Sequence, residues 1–298
     1  MAERDWLVVG ASGLVGADVW RRLGDLGHRA TAMARCPMAG PSVQVDLADL
    51  AEVTRCIRAL SPGVVVYCAG ATAVDRCESD PGWARQLNVT APEVVMEAVS
   101  EDTLMVYLST DYVFDGTAGP YRETDTPRPV NEYGRTKLAG EAAVRSRRSH
   151  LVVRTTVVYG WESLRPPVGS LSRLAAAGAA GVPFDAPADE VGNPTFSPDL
   201  ADAVVHLAAA RRTGVFHVCG PDRVSRLEFS RAVLGALGHD TTLARPVHSA
   251  DLRRPAVRPL GHGMVCRRAS LALGRSFIGL AGGLAMAAAG RPRPAAAG

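Results

Sequence analysis

The sequence is poor in the features that mark metal-binding, membrane-spanning and nucleic-acid-binding proteins. Its six cysteines form no CxxC pair, and His206, His217 and His248 have no partner at ligand spacing, so we expect reduced thiols and no metal site. The apolar stretch 277–289 is too short to span a bilayer. A net charge of +3 is too small to indicate nucleic acid. We therefore expect a cytoplasmic protein that binds neither membranes nor nucleic acid.

Lysine is scarce as well, because nearly all of the 33 basic residues are arginine and the single lysine is Lys137. We give this bias no functional meaning, since the sequence is rich in Ala, Arg, Gly and Pro throughout. The 298 residues, 47% hydrophobic and 21% charged, suffice for one large α/β domain or for a large domain with a smaller lobe. A strand pattern begins so near Met1 that we expect no signal peptide.

The first motif is a glycine turn, GASGLVG, between the apolar stretch 5–9 and an amphipathic pattern from Leu14 to about Leu26. Glycines let the backbone turn tightly and approach a pyrophosphate, and the free N–H groups of a helix start bind the anion. A strand, a glycine turn and a helix in this order predict a dinucleotide site. We assign to it Gly10, Ser12, Gly13, Leu14, Val15 and Gly16.

The second and third predicted strands bear on the choice of cofactor. The second strand, 29–34, ends at Arg35, where dehydrogenases that prefer NAD usually carry an acidic residue. A guanidinium can pair with a 2′-phosphate, so we expect NADP(H) in preference to NAD(H). The alternative is that Arg35 is a solvated surface residue. The third strand, 43–47, would place Asp46 and Leu47 near the adenine.

Two further apolar stretches, 64–67 and 104–108, predict central parallel strands buried on both faces. Small residues follow the first stretch, and a cofactor could lie across them. The second stretch delivers Ser109, Thr110 and Asp111 to the same carboxyl edge. Asn88, in a predicted helix 83–89, either contacts the cofactor or only makes local hydrogen bonds. The cofactor contacts expected here are Cys68, Ala69, Gly70, Thr72 and Asn88.

Tyr133 and Lys137 lie four residues apart in a predicted helix, 132–147, that Asn131 would cap. This spacing puts both side chains on one helix face, where the ammonium would favour the ionised phenol. We expect Tyr133 to act as a general acid and Thr110 to orient a carbonyl, with Ser109 as a weaker candidate. The alternative is that Tyr133 is a half-buried packing residue.

Strands alternate with helices up to residue 155, which predicts a doubly wound parallel sheet of the Rossmann type. We expect a dinucleotide-binding domain at 1–160, a smaller substrate lobe at 161–283 that is partly interleaved with the sheet, and a disordered tail at 284–298. Prolines make 115–130 an ordered loop, and 192–198 reads as a turn-rich loop before a helix.

Five blocks, GASGLVG, LSTDYVFDG, YRETDTPRP, YGRTKLAGE and GNPTFSPDLADAV, together resemble the extended short-chain dehydrogenase/reductases. Within that group they are most similar to the sugar nucleotide reductases of the dTDP-4-dehydrorhamnose reductase type, over about residues 5–280. The resemblance implies NADPH-dependent reduction of a keto group on a nucleotide-activated deoxysugar. It assigns catalysis to Thr110, Tyr133 and Lys137. It also aligns Arg154 and Tyr159 with the strand after the catalytic helix.

The substrate contacts that we expect are Ala73, Val74, Asp111, Tyr112 and Val157. The reductases usually carry Trp at the position of Val157, and that Trp helps to shape the sugar pocket, so the identity of the ketone stays open. The central block also resembles that of the regulatory β subunit of methionine adenosyltransferase, which implies a non-catalytic NADP-binding subunit as one alternative. A reductase or epimerase of another small carbonyl metabolite is another. We also expect a possible homodimer.

Overall fold

The computed structural model describes residues 5–161, 169–261 and 263–290. Its strands are β1 (Trp6–Val9), β2 (Ala30–Ala34), β3 (Ser42–Gln44), β4 (Val64–Tyr67), β5 (Leu104–Thr110), β6 (His150–Thr155), β7 (Val158–Tyr159), β8 (Phe184–Pro187), β9 (Val191–Gly192), β10 (Thr195–Phe196), β11 (Gly214–His217), β12 (Val224–Ser225) and β13 (Ala244–Val247).

Its α-helices are α1 (Leu14–Asp25), α2 (Leu50–Leu60), α3 (Val74–Ser79), α4 (Pro81–Arg85), α5 (Ala91–Ala98), α6 (Glu132–Arg145), α7 (Ser170–Ala180), α8 (Ser197–Ala209), α9 (Arg226–Ala236), α10 (Arg267–Leu273) and α11 (Leu280–Ala289). A π-helical turn spans Gln86–Thr90. Short 3₁₀ turns cover Asp111–Val113, Thr241–Leu243 and Ser249–Leu252.

The central sheet has seven parallel strands in the order β11-β6-β5-β4-β1-β2-β3. In its centre, Val8 of β1 lies beside Ala32 of β2 and Val66 of β4. This arrangement confirms the predicted doubly wound fold. The strand order reverses between β1 and β4, and the crevice at the carboxyl ends of such strands is where ligands bind in this architecture.

Both faces of the sheet are covered by helices, which explains the unbroken apolar strands. On one face, alternate strand residues such as Leu7 and Val65 pack with α2, α5 and α6. On the other face, their neighbours Val8 and Val66 pack with α1 and α8. Burial on two sides fixes the register of β1 and β4, and with it the position of the loops that follow them.

The residues after β6 build a second core and also complete the sheet. The pairs β10-β7, β12-β9 and β13-β8 form three small sheets, and α7, α9 and α11 pack around Tyr159, Phe196 and Phe229. At the same time, β11 extends the large sheet and α8 packs along α1. This part of the chain is therefore interleaved with the sheet, while the division at residue 160 stays a prediction.

The third strand and the predicted loop 192–198 differ from the sequence interpretation. β3 ends at Gln44, because Asp46 accepts a hydrogen bond from the amide of Ala48 (3.0 Å) and turns the chain toward α2. The segment 192–198 contains β10 and the start of α8. Asn193 orders it, since its Nδ2 donates to the carbonyl of Gly220 (3.0 Å) and its Oδ1 accepts from the amide of Met264 (2.9 Å).

The predicted disordered tail from residue 284 is wrong for its first residues, because α11 continues to Ala289. Leu284 and Ala287 are buried in the cluster around Tyr159, so their packing holds the helix in place. Residues 291–298 lie outside the described part. In the described ranges, no helix combines the length and apolar character that crossing a bilayer requires.

Candidate active site

The glycine turn at residues 10–16 is built for close backbone approach. Gly10 has φ +81°, and a Cβ on it would lie 2.6 Å from the amide nitrogen of Ala69. A Cβ on Gly16 would lie 2.3 Å from the carbonyl oxygen of Gly10. Gly13 caps α1, whose first turn carries no acidic side chain to oppose an anion. The turn therefore has the geometry of a pyrophosphate site and touches the loop after β4.

The loop after β4 is held by Asn88, which is fully buried in the π-helical turn. Its Oδ1 accepts from the amide of Ala71 (2.9 Å), and its Nδ2 donates to the carbonyl of Ala71 (3.2 Å) and to the hydroxyl of Thr136 (3.1 Å). Asn88 thus joins the loop to α6. Asn88 therefore makes the local hydrogen bonds that were one of the two alternatives expected from the sequence. A direct contact between Asn88 and the cofactor stays a prediction.

Thr110 and Tyr133 meet at the carboxyl edge of the sheet. Thr110 is the last residue of β5, and it lines the same cavity as Tyr133. Asn131 caps α6 by accepting from the amide of Gly134 (2.9 Å). Gly134 lets the helix approach β5, because a Cβ there would lie 2.1 Å from the carbonyl oxygen of Tyr112.

Lys137 lies one turn further along α6 and is only 3% exposed. Its Nζ lies 4.0 Å from the centroid of the Tyr107 ring. A Cβ on Gly70 would lie 3.7 Å from this Nζ, so Lys137 also borders the loop after β4. The helix therefore carries Tyr133 toward β5 and the ammonium toward the crevice.

Burial controls the protonation of both side chains. It raises the pKa of Tyr133 above its usual range, against a smaller lowering by Thr110, and it lowers the pKa of Lys137 to about 7. Tyr133 is therefore protonated at neutral pH, the form that a proton donor needs. The expectation that Lys137 would favour the ionised phenol stays a prediction.

Asp111 orders the hydroxyls around Tyr133. It is 4% exposed, and its two carboxylate oxygens accept hydrogen bonds from Thr110 (3.1 Å) and Thr156 (2.5 Å). Thr110 also accepts from the amide of Tyr112 (3.2 Å). The Tyr112 ring meets that of Tyr133 at 67°, with centroids 5.4 Å apart. The sequence analysis did not predict Thr156, since nothing in RTTVVYG distinguishes one threonine from the next.

Ser109, the weaker candidate for orienting a carbonyl, has its hydroxyl engaged by a buried carboxylate. Its hydroxyl donates to Oε1 of Glu141 (2.5 Å). Glu141 also forms a two-point ion pair with Arg154, at 2.8 and 2.6 Å, and these side chains are 0% and 2% exposed. Because Ser109 completes this buried pair, it acts as a structural hydroxyl. The sequence analysis missed Glu141, which lies one helical turn after Lys137.

A cavity of about 210 Å³ opens beside Tyr133. It is lined by Thr72, Val74, Ser109, Thr110, Asp111, Tyr112, Tyr133, Thr155, Thr156, Val157, Val158 and Arg226. It therefore brings together most of the predicted substrate residues, and adds Thr155, Thr156, Val158 and Arg226. A larger cavity at the amino ends of β1 and β2 contains none of the predicted site residues.

Val157 has an unusual backbone at this cavity, with φ +43°. A β-branched residue in this left-handed region is strained. Its carbonyl accepts from the amide of Thr195 (3.1 Å), which ties the strained turn to β10. Ala73, also predicted to contact substrate, is exposed beside the cavity without lining it.

The remaining predicted cofactor residues lie around the same edge. Arg35 is exposed directly after β2, and its carbonyl accepts from Gln44 (3.1 Å). Asp46 is exposed, whereas Leu47 packs its side chain into the core and has only its backbone to offer an adenine. Ser12 is buried inside the glycine turn. The structure thus places Arg35, and not Leu47, where a side chain can meet a ligand.

Comparisons with known proteins agree with this geometry. The RmlD substrate binding domain family matches residues 4–278. A dTDP-4-dehydrorhamnose reductase of Mycobacterium tuberculosis is 38% identical over 261 residues, 84% of this chain and 84% of that protein. The methionine adenosyltransferase 2 subunit beta of Xenopus tropicalis is 31% identical over 258 residues, 81% of this chain and 74% of that protein.

A solved structure supports the fold alone. The dTDP-4-dehydrorhamnose reductase of Bacillus anthracis, described in complex with NADP, superposes with a TM-score of 0.84 at 23% identity and covers 96% of this chain and 99% of its own. Sequence match and architecture therefore agree over nearly the whole described chain. The chain belongs to the RmlD substrate binding domain family.

Proposed function

We propose that this chain is an NADPH-dependent ketoreductase that reduces the keto group of a nucleotide-activated 4-keto-6-deoxyhexose. The observation that carries the proposal is that Thr110 and Tyr133 line one cavity, while Lys137, one helical turn further along, borders the loop after β4 that touches a turn fit for a pyrophosphate. The named activity of the mycobacterial relative supports the same reaction.

The residues of the crevice fit a dinucleotide phosphate. The amides of the turn 10–16 would hold its diphosphate, since Gly10 and Gly16 leave no room for side chains. Arg35 would pair with the 2′-phosphate, and Lys137 would hold the nicotinamide ribose hydroxyls. NADPH, when bound, supplies a hydride to the ketone carbon.

Tyr133 donates its phenolic proton to the carbonyl oxygen as that oxygen becomes negatively charged. Burial keeps this proton on the phenol at neutral pH until it is needed. Thr110, which lines the same cavity as Tyr133, orients the carbonyl oxygen with its hydroxyl. The ammonium form of Lys137, whose pKa is about 7, stabilises the phenolate left after proton transfer.

The test is to mix the purified protein with NADPH and a panel of nucleoside-diphosphate ketosugars and to follow the loss of NADPH absorbance. Oxidation with a 4-keto-6-deoxyhexose supports the proposal. Tight NADPH binding without oxidation by any ketosugar contradicts it. That second outcome favours a non-catalytic NADP-binding subunit, the alternative that the relative named methionine adenosyltransferase 2 subunit beta supports. Oxidation by other small carbonyl compounds alone would favour the remaining alternative.

The preference for NADPH over NADH rests on Arg35. We expect Arg35→Ser to lower the ratio of kcat/KM with NADPH to that with NADH by about ten- to a hundredfold, because a charge-assisted pair with the 2′-phosphate is lost. Arg58→Ser, an exposed arginine on α2, is the matched control. An unchanged ratio in Arg35→Ser would remove the basis for the preference. That the protein is a homodimer and that it is cytoplasmic both stay predictions. Light scattering would measure the oligomeric state.

A further inference from the structure

Among the residues that the structure describes, Arg226 is the one arginine that lines the cavity beside Tyr133. It is the first residue of α9 and is half-buried. Burial raises the pKa of Tyr112, and the charge of Arg226 is the largest influence that opposes this rise. Arg226 and Tyr112 line the same cavity, and α9 brings Arg226 to it from the lobe.

The neighbouring arginines are already neutralised, but Arg226 is not. Arg258 pairs with Asp75 (2.8 Å), and Arg254 pairs with Glu190. The backbone amide of Arg226 donates to the carbonyl of Glu190 (2.9 Å), and its carbonyl accepts from the hydroxyl of Ser230 (2.8 Å). Within residues 5–161, 169–261 and 263–290, its side chain has no carboxylate partner. A half-buried cation without a counter-ion favours an anionic ligand.

The helix start itself does not offer an alternative anion site. Ser225 and Glu228 form a capping box, in which the Ser225 hydroxyl accepts from the Glu228 amide (3.1 Å) and Glu228 accepts from the Ser225 amide (2.7 Å). Asp111, the carboxylate in the cavity, has hydrogen-bond donors on both oxygens. An anion that enters the cavity therefore meets the Arg226 side chain as its cationic contact.

The chemistry of the proposed substrate identifies the anion that would reach Arg226. In a 4-keto hexose, the keto carbon and the phosphate-bearing carbon lie on opposite sides of the ring. If Tyr133 meets the keto oxygen, the diphosphate leaves toward the opposite wall. The cavity, at about 210 Å³, is smaller than the roughly 300–1,000 Å³ of pockets that enclose a whole drug-sized ligand, so it suits the sugar with the nucleotide outside.

We propose that Arg226 binds the diphosphate of the nucleoside-diphosphate substrate and so fixes which end of the sugar faces Tyr133. This rests on the proposed function, because only a nucleotide-activated ketone brings a diphosphate to the cavity. Arg226 is a specificity residue for the diphosphate and takes no part in proton transfer.

The test is calorimetric titration of the full chain with dTDP, UDP and thymidine. We expect Arg226→Gln to lower the affinity for dTDP and the affinity for UDP by the same factor, about ten- to a hundredfold, because both nucleotides carry the diphosphate. Binding of thymidine and NADPH should not change. Arg226→Lys should retain part of the affinity, since a point charge replaces the two-point contact. Arg245→Gln, an exposed member of a surface ion pair, is the control with the same loss of charge.

Equal affinity of Arg226→Gln and the unaltered protein for dTDP overturns the inference, as does a loss confined to one nucleotide or the absence of dTDP binding to the unaltered protein. Thermal unfolding at the same temperature shows that the variant is folded. If dTDP binding depends on Arg226 but no ketosugar is reduced, the proposed reaction fails while the anion site stands. If ketosugars are reduced with the same KM in Arg226→Gln, the reaction stands and the anion site fails.

Discussion

The Asn88 side chain pairs with both polar groups of the Ala71 backbone, accepting from its amide at 2.9 Å and donating to its carbonyl at 3.2 Å. The pairing copies one rung of a β-ladder with a side-chain amide. It holds the loop after β4 against α6, which carries Tyr133 and Lys137. The position of the cofactor crevice relative to the proton donor therefore depends on one buried amide.

Removing that amide should loosen the loop. We expect Asn88→Ala to lower the free energy of unfolding by about 2–4 kcal/mol, because two buried backbone groups lose their partners. Thr136→Val is the matched control, since it keeps both contacts of Asn88 with Ala71 and removes a hydroxyl that accepts from Asn88 and donates to carbonyls of α6, and it should cost about 1 kcal/mol. Urea unfolding measures both. A loss in Asn88→Ala no larger than that in Thr136→Val would show that the loop does not need this pairing.

Tyr133→Phe removes the phenolic proton and keeps the ring. We expect kcat to fall by about 10²- to 10⁴-fold, because general acid catalysis is lost. The affinity for NADPH should stay the same, since the glycine turn is untouched. Tyr112→Phe, whose ring packs against Tyr133, is the control for lost hydroxyl groups in the cavity. Steady-state kinetics and NADPH titration give both quantities, and a Tyr133→Phe variant that turns over at the rate of Tyr112→Phe would refute the assignment.

The pKa of Lys137 predicts a pH dependence of stability. Burial lowers it from 10.5 to about 7, so above pH 7 the unfolded chain binds a proton that the folded chain has released. The free energy of unfolding should therefore rise with pH between 7 and 10 relative to Lys137→Met, by up to about 1.4 kcal/mol per pH unit. Below pH 7 both states are protonated and the difference between the two proteins should be constant. Urea unfolding of both at pH 6, 7.5 and 9 tests this, and a pH-independent difference at all three would contradict it.

The ion pair between Glu141 and Arg154 is almost fully buried. We expect Glu141→Leu to destabilise the protein by about 3–5 kcal/mol, because it leaves the Arg154 charge without a partner. The double variant Glu141→Leu with Arg154→Met should recover much of that loss, since no buried charge remains. Arg29→Met, which breaks an exposed pair with Asp5, should cost less than about 1 kcal/mol. Denaturant unfolding of the unaltered protein and the three variants measures these differences in stability. A double variant less stable than Glu141→Leu would contradict the prediction.

The sequence predicted the elements whose pattern is local. The strand 64–67 and the start of α6 at Glu132 were correct because a doubly buried strand and a capped helix are each defined by adjacent residues. The grouping of Thr110, Tyr133 and Asp111 was also accessible, because parallel strands deliver their last residues to one edge. The spacing of Tyr133 and Lys137 then placed both on one helix face.

What the sequence could not supply depends on contacts between distant segments. Ser109 and Thr110 are adjacent hydroxyls, and only the position of Glu141 on α6 determines that Ser109 faces the ion pair. The rise in the pKa of Tyr133 likewise comes from burial, and exposure to solvent is a property of the packed molecule. Arg226 reaches the cavity from a lobe 93 residues beyond Tyr133 in the numbering, and no local pattern marks it.

Lys137 is the one lysine in the 298-residue sequence, and it is buried at the site. The outer surface of the described chain therefore presents guanidinium groups in place of side-chain amines. Amine-directed reagents such as succinimidyl esters have no surface lysine to modify, so side-chain labelling reports the opening of the crevice and nothing else. Trypsin, in turn, can cut this surface only after arginine.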